Sequence, residues 1–491
     1  MFEQEFRHAI VIDKKRSWCP RKTSTTSSAQ VRERRKASFE QEATGGSRWG
    51  TFRGSSSSRA ASAAVLGLAG CGSSSSSDSS SSSDAGSSST DDRSGNVYWL
   101  NFKPELDETA QALAKSYMEK YPNVKVKVQT AESGTYEQTL TSEMDKTDAP
   151  TLFNIGTTAG VKEWGSSAMD LTGTDIEKAL STSEYTYKDS DGRLVCAGLC
   201  YETYGIVVNA DLVEKAGHSV DDIKDFDSLK AVVEDIHKNA ATLGFDAFAA
   251  TDLDDSSSWR VTGHLANLEY YYEEKDDGGW DETPASIKGT YLPNYKKIFD
   301  LAINNSAEDP STLSTGGHDP STEFTSGKAA FFFTGSWDYA TIAEAQKTTM
   351  IPYYCGVSGE EKAGLNSGTE NRLAINDAAS DEDKKATMDF WLWMVTDPEA
   401  SKEMVAQLGV LPYIDAAKGD NGYLNKAEEL SKAGNYTMDW ATNYQPNVDQ
   451  YRKGLVSALN AYTADQSDAN WDNFKTAFVD GWAQNYKVEN A

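Results

Sequence analysis

The chain has 491 residues, 38% hydrophobic and 11% aromatic, with a formal net charge of −28; that is too long for one simple core and long enough for two lobes. Residues 1–71 hold 13 Lys and Arg against 6 Asp and Glu, and the remainder holds 34 against 69. Acidity of that size excludes a nucleic-acid or anionic-membrane surface for the main body, because no basic patch is on offer to neutralise phosphates.

Residues 1–59 are polar and aperiodic, and no Met falls between Met1 and Met118. They read as a misplaced start or a disrupted frame, without packed structure. An apolar stretch at 60–70 ends in Leu68, Ala69, Gly70 and Cys71. It is too short to span a bilayer and suits a removed signal-peptide core. The tetrapeptide resembles the bacterial lipoprotein signal, which implies that Cys71 is diacylated and becomes the mature N-terminus. The Ser-rich segment 72–94 then serves as a flexible tether reaching about 25 Å.

The regular pattern begins at 95. "NVYWLNF" (96–102) predicts a strand. The next segment, 103–123, spaces Leu106, Ala110, Leu113, Tyr117 and Tyr121 for a helix between Pro104 and Pro122, and "VKVKV" (124–128) alternates as a second strand. So compact a strand–helix–strand unit needs a crossover, hence a parallel pair and an α/β fold. Asp191 and Gly192 predict a hairpin turn in 188–196 rather than a calcium loop, whose third and closing ligands are missing. A helix is expected over 227–244, capped by Asp227 and stopped by Gly244. Two more are expected over 380–409, parted at Asp397 and Pro398; Trp391 and Trp393 are assigned to their packing.

Signatures of catalysis are missing: there is no GxSxG, HExxH, phosphate loop or dinucleotide fingerprint. The five cysteines (Cys19, Cys71, Cys196, Cys200, Cys355) show no zinc spacing, and there are only five histidines. No catalytic residue, metal or cofactor is expected.

The segment "GKAAFFFTGSWDYATI" (327–342) carries the functional signal. A strand, 329–335, runs into a helix at Ser336, its expected N-cap, so Trp337 and Asp338 stand at the sheet edge where α/β folds bind ligands. An indole offers a flat face to the C–H side of a sugar, and a carboxylate can accept two hydrogen bonds from adjacent hydroxyls. On these residues alone, packing for Trp337 and helix-dipole pairing for Asp338 explain the pair equally well.

The segment resembles a motif of the family 1 extracellular solute-binding proteins, the carbohydrate receptors of ABC importers related to maltose-binding protein. "GTYEQTLTSEM" (134–144), "DAPTLFNIG" (148–156), "LCYETYGIVVNADLVEKAG" (199–217), "GLNSGTENRLAIN" (364–376) and "FWLWMVTDPEASKEMVAQLGVLPY" (390–413) continue the likeness in order. The resemblance implies a two-lobed Venus-flytrap fold with three interlobe crossings, near 202–205, 353–357 and 409–413. Lobe 1 would be 95–203 with 354–411, and lobe 2 204–353 with 412–491. It implies a substrate site of Trp337 and Asp338 with Glu202, Tyr136, Trp259, Arg260, Glu370, Asn371, Phe102 and Tyr451, Trp440 being the alternative to Tyr451. Because the hinge strands lie side by side in the family, a Cys200–Cys355 or Cys196–Cys355 disulfide is expected.

The implied protein is a monomeric, lipid-anchored receptor at the extracellular face of the cytoplasmic membrane. It would bind a carbohydrate, an oligosaccharide in the first instance, and pass it to ABC permease subunits, without chemistry and without nucleic acid. The rival readings are a receptor for a peptide or polyol and a secreted glycan hydrolase.

Overall fold

A computed structural model describes residues 92–491 apart from Ser133, Asp255 and Ser256. Cys19, the lipidation candidate Cys71 and nearly all of the tether lie outside the described residues.

Two six-stranded sheets organise two lobes. The strands in chain order are β1 (Gly95–Asn101), β2 (Val124–Thr130), β3 (Leu152–Asn154), β4 (Thr186–Lys188), β5 (Leu194–Gly198), β6 (Glu202–Asn209), β7 (Asp246–Phe248), β8 (Ala329–Gly335), β9 (Thr348–Ile351), β10 (Ala363–Gly368), β11 (Arg372–Ile375) and β12 (Tyr436–Asp439). The first sheet runs β2-β1-β3-β11-β5-β4 and the second β12-β10-β6-β8-β7, with β9 also on β6. As the spacing predicts, β1 and β2 are parallel, Val97 opposite Val126, with the helix Asp107–Lys120 between them in sequence. That helix buries Ala110, Leu113 and Tyr117, so its apolar stripe faces the sheet.

Sheet membership changes between Gly198 and Glu202 and again between Gly368 and Arg372. The second change falls later in the chain than expected. Strand β10, assigned above to lobe 1, sits in the second sheet because its backbone pairs with β6, Asn366 opposite Tyr204. Glu202 and Thr203 likewise belong to the second sheet. Tyr413 stays with the first core, its hydroxyl donating to Gly198 O at 2.9 Å, and Tyr423 belongs to the second lobe.

The first core joins Trp99, Tyr117, Phe390 and Trp391, and Trp393 packs at its margin on Tyr117. The second is richer in aromatics: Tyr270, Tyr295, Phe474, Phe478 and Trp482 interlock between helices. Tyr451 belongs to this second core. It is 1% exposed, lies edge-on to Trp482 and donates its hydroxyl to Phe478 O at 2.8 Å. The expectation that it lines the cleft is therefore corrected: on the helix Val448–Ala464 it faces the neighbouring helix Asp468–Glu489.

The cysteine expectation is corrected as well. Cys196, Cys200 and Cys355 are free and buried, each in a different hydrophobic cluster. Burial pushes the Cys196 and Cys355 thiols up to about 12. The first long helix of the second lobe is Phe226–Leu243, capped by Asp225 through a reciprocal bond with Ser228 rather than by Asp227.

Candidate functional site

Strand β8 ends on Gly335, and the chain turns through a 3-10 segment, Ser336–Asp338. Ser336 is not the cap the sequence suggests; its Oγ accepts a hydrogen bond from Thr203 N at 3.1 Å and ties the turn to β6. The Trp337 ring folds back over Gly335 so closely that a Cβ there would stand 2.3 Å from the indole. Only a residue without a side chain admits that approach. Trp337 is half-buried, and its ring contacts Trp259 (5.7 Å between centroids), His264 (5.1 Å) and Tyr204 (6.4 Å).

Trp259 and His264 reach this cluster because Arg260–Leu265 is a π-helical turn rather than an ordinary α turn. Its wider winding brings both rings against Trp337, and such turns concentrate at functional sites. His264 lies flat on Tyr204, centroids 4.1 Å apart and planes 12° from parallel, while Trp440 packs on Tyr204 at 5.0 Å. Burial holds the His264 imidazole well below its usual pKa, with Arg452, Arg260 and Lys103 acting in the same sense. It is therefore neutral at physiological pH.

Charged groups frame the rings in pairs. Arg260 donates from Nε to Phe333 O at 3.0 Å, lays its guanidinium over Trp259 at 4.1 Å, and stands 3.9 Å from Asp338 Oδ2. Thr334 donates to the same Asp338 oxygen at 2.5 Å. Asp338 is thus partly spoken for, not the free carboxylate read from the sequence; burial raises its pKa against the pull of Arg260 and Thr334. Glu202, 1% exposed, meets Lys103 Nζ at 2.9 Å, and Lys103 also holds Glu105 at 2.8 Å and sits 5.6 Å from the Trp337 ring. Lys103 follows β1 of the first lobe, whereas Glu202 opens β6 of the second, so this pair spans the two lobes.

The remaining expected residues divide. Glu370 and Asn371 lie where the chain passes from β10 to β11. The Glu370 carboxylate is 3.8 Å from Arg452, and its carbonyl accepts from Asn154 Nδ2. Asn371 is buried, and its amide nitrogen Nδ2 has no hydrogen-bond partner among the described residues. Phe102 is half-buried and packs edge-on against Tyr136 at 5.3 Å. Tyr136 is 4% exposed, and its hydroxyl accepts from Asn154 N at 2.6 Å. The expectation that Tyr136 faces the cleft is therefore corrected: it packs inside the first lobe and props Asn154.

Sequence reasoning missed Lys103, Tyr204 and His264. Lys103 had a signal, since it is a cation directly past the end of the first strand. Tyr204 and His264 had none, for a ring in an apolar run reads as core and the π turn has no sequence mark.

The lobes also touch away from the rings. The Thr158 and Thr283 hydroxyls are 2.9 Å apart, Thr158 lies 3.3 Å from Asn443 O, and Lys162 pairs with Glu282 at 3.5 Å.

A family model described as bacterial extracellular solute-binding protein matches residues 112–421. No curated protein sequence matches the chain. Among solved structures, the solute-binding protein RafE in complex with raffinose is 18% identical, with 78% of this chain and 99% of that one covered and a TM-score of 0.61. A family 1 extracellular solute-binding protein from Bifidobacterium longum subsp. infantis is 18% identical over 80% and 100%, at a TM-score of 0.54. A sugar transporter protein from Bacillus licheniformis in complex with stachyose is 16% identical over 79% and 99%, at 0.56. Likeness at these identities establishes the two-lobed fold.

Proposed function

The chain belongs to the bacterial extracellular solute-binding proteins, and from that premise we propose that it is the receptor of an ABC importer. It binds an oligosaccharide between its lobes and delivers it to the permease, anchored at the extracellular face of the membrane through a lipid on Cys71. The observation that carries this reading is the half-buried indole of Trp337, backed by Gly335 and flanked by Trp259, beside an ion pair shared by both lobes. Such a ring offers an apolar face to a sugar, and paired charges at its rim leave oxygens and N–H groups for hydroxyls. The raffinose and stachyose held by two structural neighbours support the same class of ligand.

The chemistry is binding alone. The acids nearest the rings, Glu202 and Asp338, are each engaged by a cation, which suits a receptor better than a hydrolase needing one free acid and one free base. A ligand that touches both lobes stabilises the closed arrangement over the open one. Micromolar affinity requires about −8 kcal/mol, within reach of one aromatic stack and several hydrogen bonds at about 1 kcal/mol each.

Mass spectrometry of small molecules released from the heat-denatured protein tests the proposal, together with thermal-shift screening of sugars, polyols and peptides. A sugar released intact and raising the melting temperature is the expected result. A peptide or polyol doing so in its place, or a sugar returned cleaved, overturns it.

A further inference from the structure

Beneath the Trp337 and Trp259 rings lies a floor of buried polar groups: Tyr204, His264, Asn366 and Trp440, none more than 5% exposed. Tyr204 Oη, His264 Nδ1, Asn366 Nδ2 and Trp440 Nε1 all lack a hydrogen-bond partner among the described residues. They belong together: Asn366 sits opposite Tyr204 in the sheet, and Tyr204 carries His264 and Trp440 on its ring. Leaving a buried polar group unmet forfeits its hydrogen bond to water with nothing in return. Four in one patch mark a place built to receive a partner.

The kind of partner follows from which atoms are open. Thr442 N donates to Asn267 Oδ1, and Asn267 Nδ2 donates to Asn366 Oδ1 at 2.9 Å and to Asp439 O at 3.0 Å. That network fixes both amides and leaves Asn366 with its NH₂ free. Trp440 Nε1 can only donate, while Tyr204 and His264 can do either. Donors are therefore in surplus. Lys103, Arg260 and Arg452 surround the patch; Gly263 makes room for Arg452, since a Cβ there would stand 2.9 Å from its guanidinium carbon. Their acid partners Glu202, Asp338 and Glu370 balance the charge, so the donor surplus decides the preference.

Building on the carbohydrate-receptor reading, we propose that this floor receives an acceptor-rich substituent of the sugar: the carboxylate of a uronic acid or the carbonyl of an N-acetylamino sugar. A plain hydroxyl brings a proton of its own and meets the surplus less well.

The test measures affinities of the full chain for trisaccharides differing only in substituent. One series is β-1,4-gluco (cellotriose, its triuronate, triacetylchitotriose); the other is α-1,4-galacto (galactotriose and trigalacturonate). A substituted member should bind at least about tenfold tighter than its plain parent, and the two substituted arms tell carboxylate from acetamido. Tyr204→Phe keeps its ring and removes only the O–H, whereas Trp440→Phe removes the N–H together with the five-membered ring of the indole; each should shrink that preference about tenfold, Tyr204→Phe without lowering the melting temperature of the ligand-free protein. Equal binding of plain and substituted members overturns the floor's assignment alone. So does a preference untouched by both variants, the result expected if internal water satisfies these groups. If none of these binds while another sugar in the thermal-shift screen does, the floor's assignment falls alone; failure of every sugar in that screen overturns the receptor reading, and the floor falls with it.

Discussion

Lys103 and Glu202 meet at 2.9 Å, one just past the first strand of the first sheet and the other at the head of the strand that opens the second. Both are nearly sealed, at 6% and 1% exposure. A buried pair of this kind gains little over an apolar substitute, yet losing one partner strands the other. Lys103→Met should therefore destabilise the protein by about 3–5 kcal/mol. The double variant Lys103→Met, Glu202→Gln should recover a large part of that loss. Urea unfolding of the wild type and the two variants checks it; a double variant as unstable as the single one rules out a stranded charge as the cause.

Trp337 and Gly335 form a second coupled pair, because the indole occupies the space where a side chain at 335 would stand. Trp337→Ala should weaken sugar binding by about 30–100-fold, the worth of a lost stack and its buried area. Gly335→Ala should come close to that loss with the indole still present, since the new methyl expels the ring. Calorimetric titration with a sugar from the screen measures both. Unchanged affinity in Trp337→Ala would remove the ring from the site.

Glu137 should make stability fall as pH rises from about 5 to 8, against His264, whose depressed pKa adds stability as pH rises through the usual histidine range. Burial, reinforced by Asp449 and Glu163, raises the Glu137 carboxyl to about 8, above its unfolded value. A raised carboxyl contributes stability that is complete below the unfolded pKa, about 4.3, and is lost as pH climbs through the folded one. His318 adds the same sign in the upper part of the window: hydrogen-bonded to Asp252 at 2.5 Å and near Glu308, it is raised above the usual histidine value. Glu137→Gln should make the slope of melting temperature against pH more positive. A slope identical in the variant would mean that Glu137 is charged throughout.

A chain begun at Ser87 carries only Cys196, Cys200 and Cys355. All three thiols are buried, so a thiol reagent should titrate none of them in the native protein and all three in guanidinium. A total below three in guanidinium without reductant would restore the disulfide.

Much of the fold was legible because its units are local. The β1–helix–β2 crossover follows from period, proline and alternation, and Trp337 announced itself as a ring at a strand's end. What failed involved distance or ambiguity. Tyr451 shows an aromatic on a helix, a pattern shared by cleft walls and helix seams, and only the position of Trp482 decides between them. Tyr136 reads as a cleft residue until its hydroxyl is seen on Asn154. The cysteines were paired by strand proximity, but the three side chains enter separate cores. His264 could not have been found, because an i→i+5 turn leaves no trace in composition or spacing.

That turn, Arg260–Leu265, holds one residue more than an α turn would, so the placing of the ring cluster depends on its winding. With the chain length unchanged, rewinding the segment to 3.6 residues per turn would swing one flank by roughly 100° relative to the other. Trp259 and His264 would then face different directions while both sheets and both cores stayed intact. Losing one residue inside the turn would instead leave the two rings at i,i+4 on one face of an ordinary helix, so a shorter chain here keeps the cluster that a change of winding at fixed length would scatter.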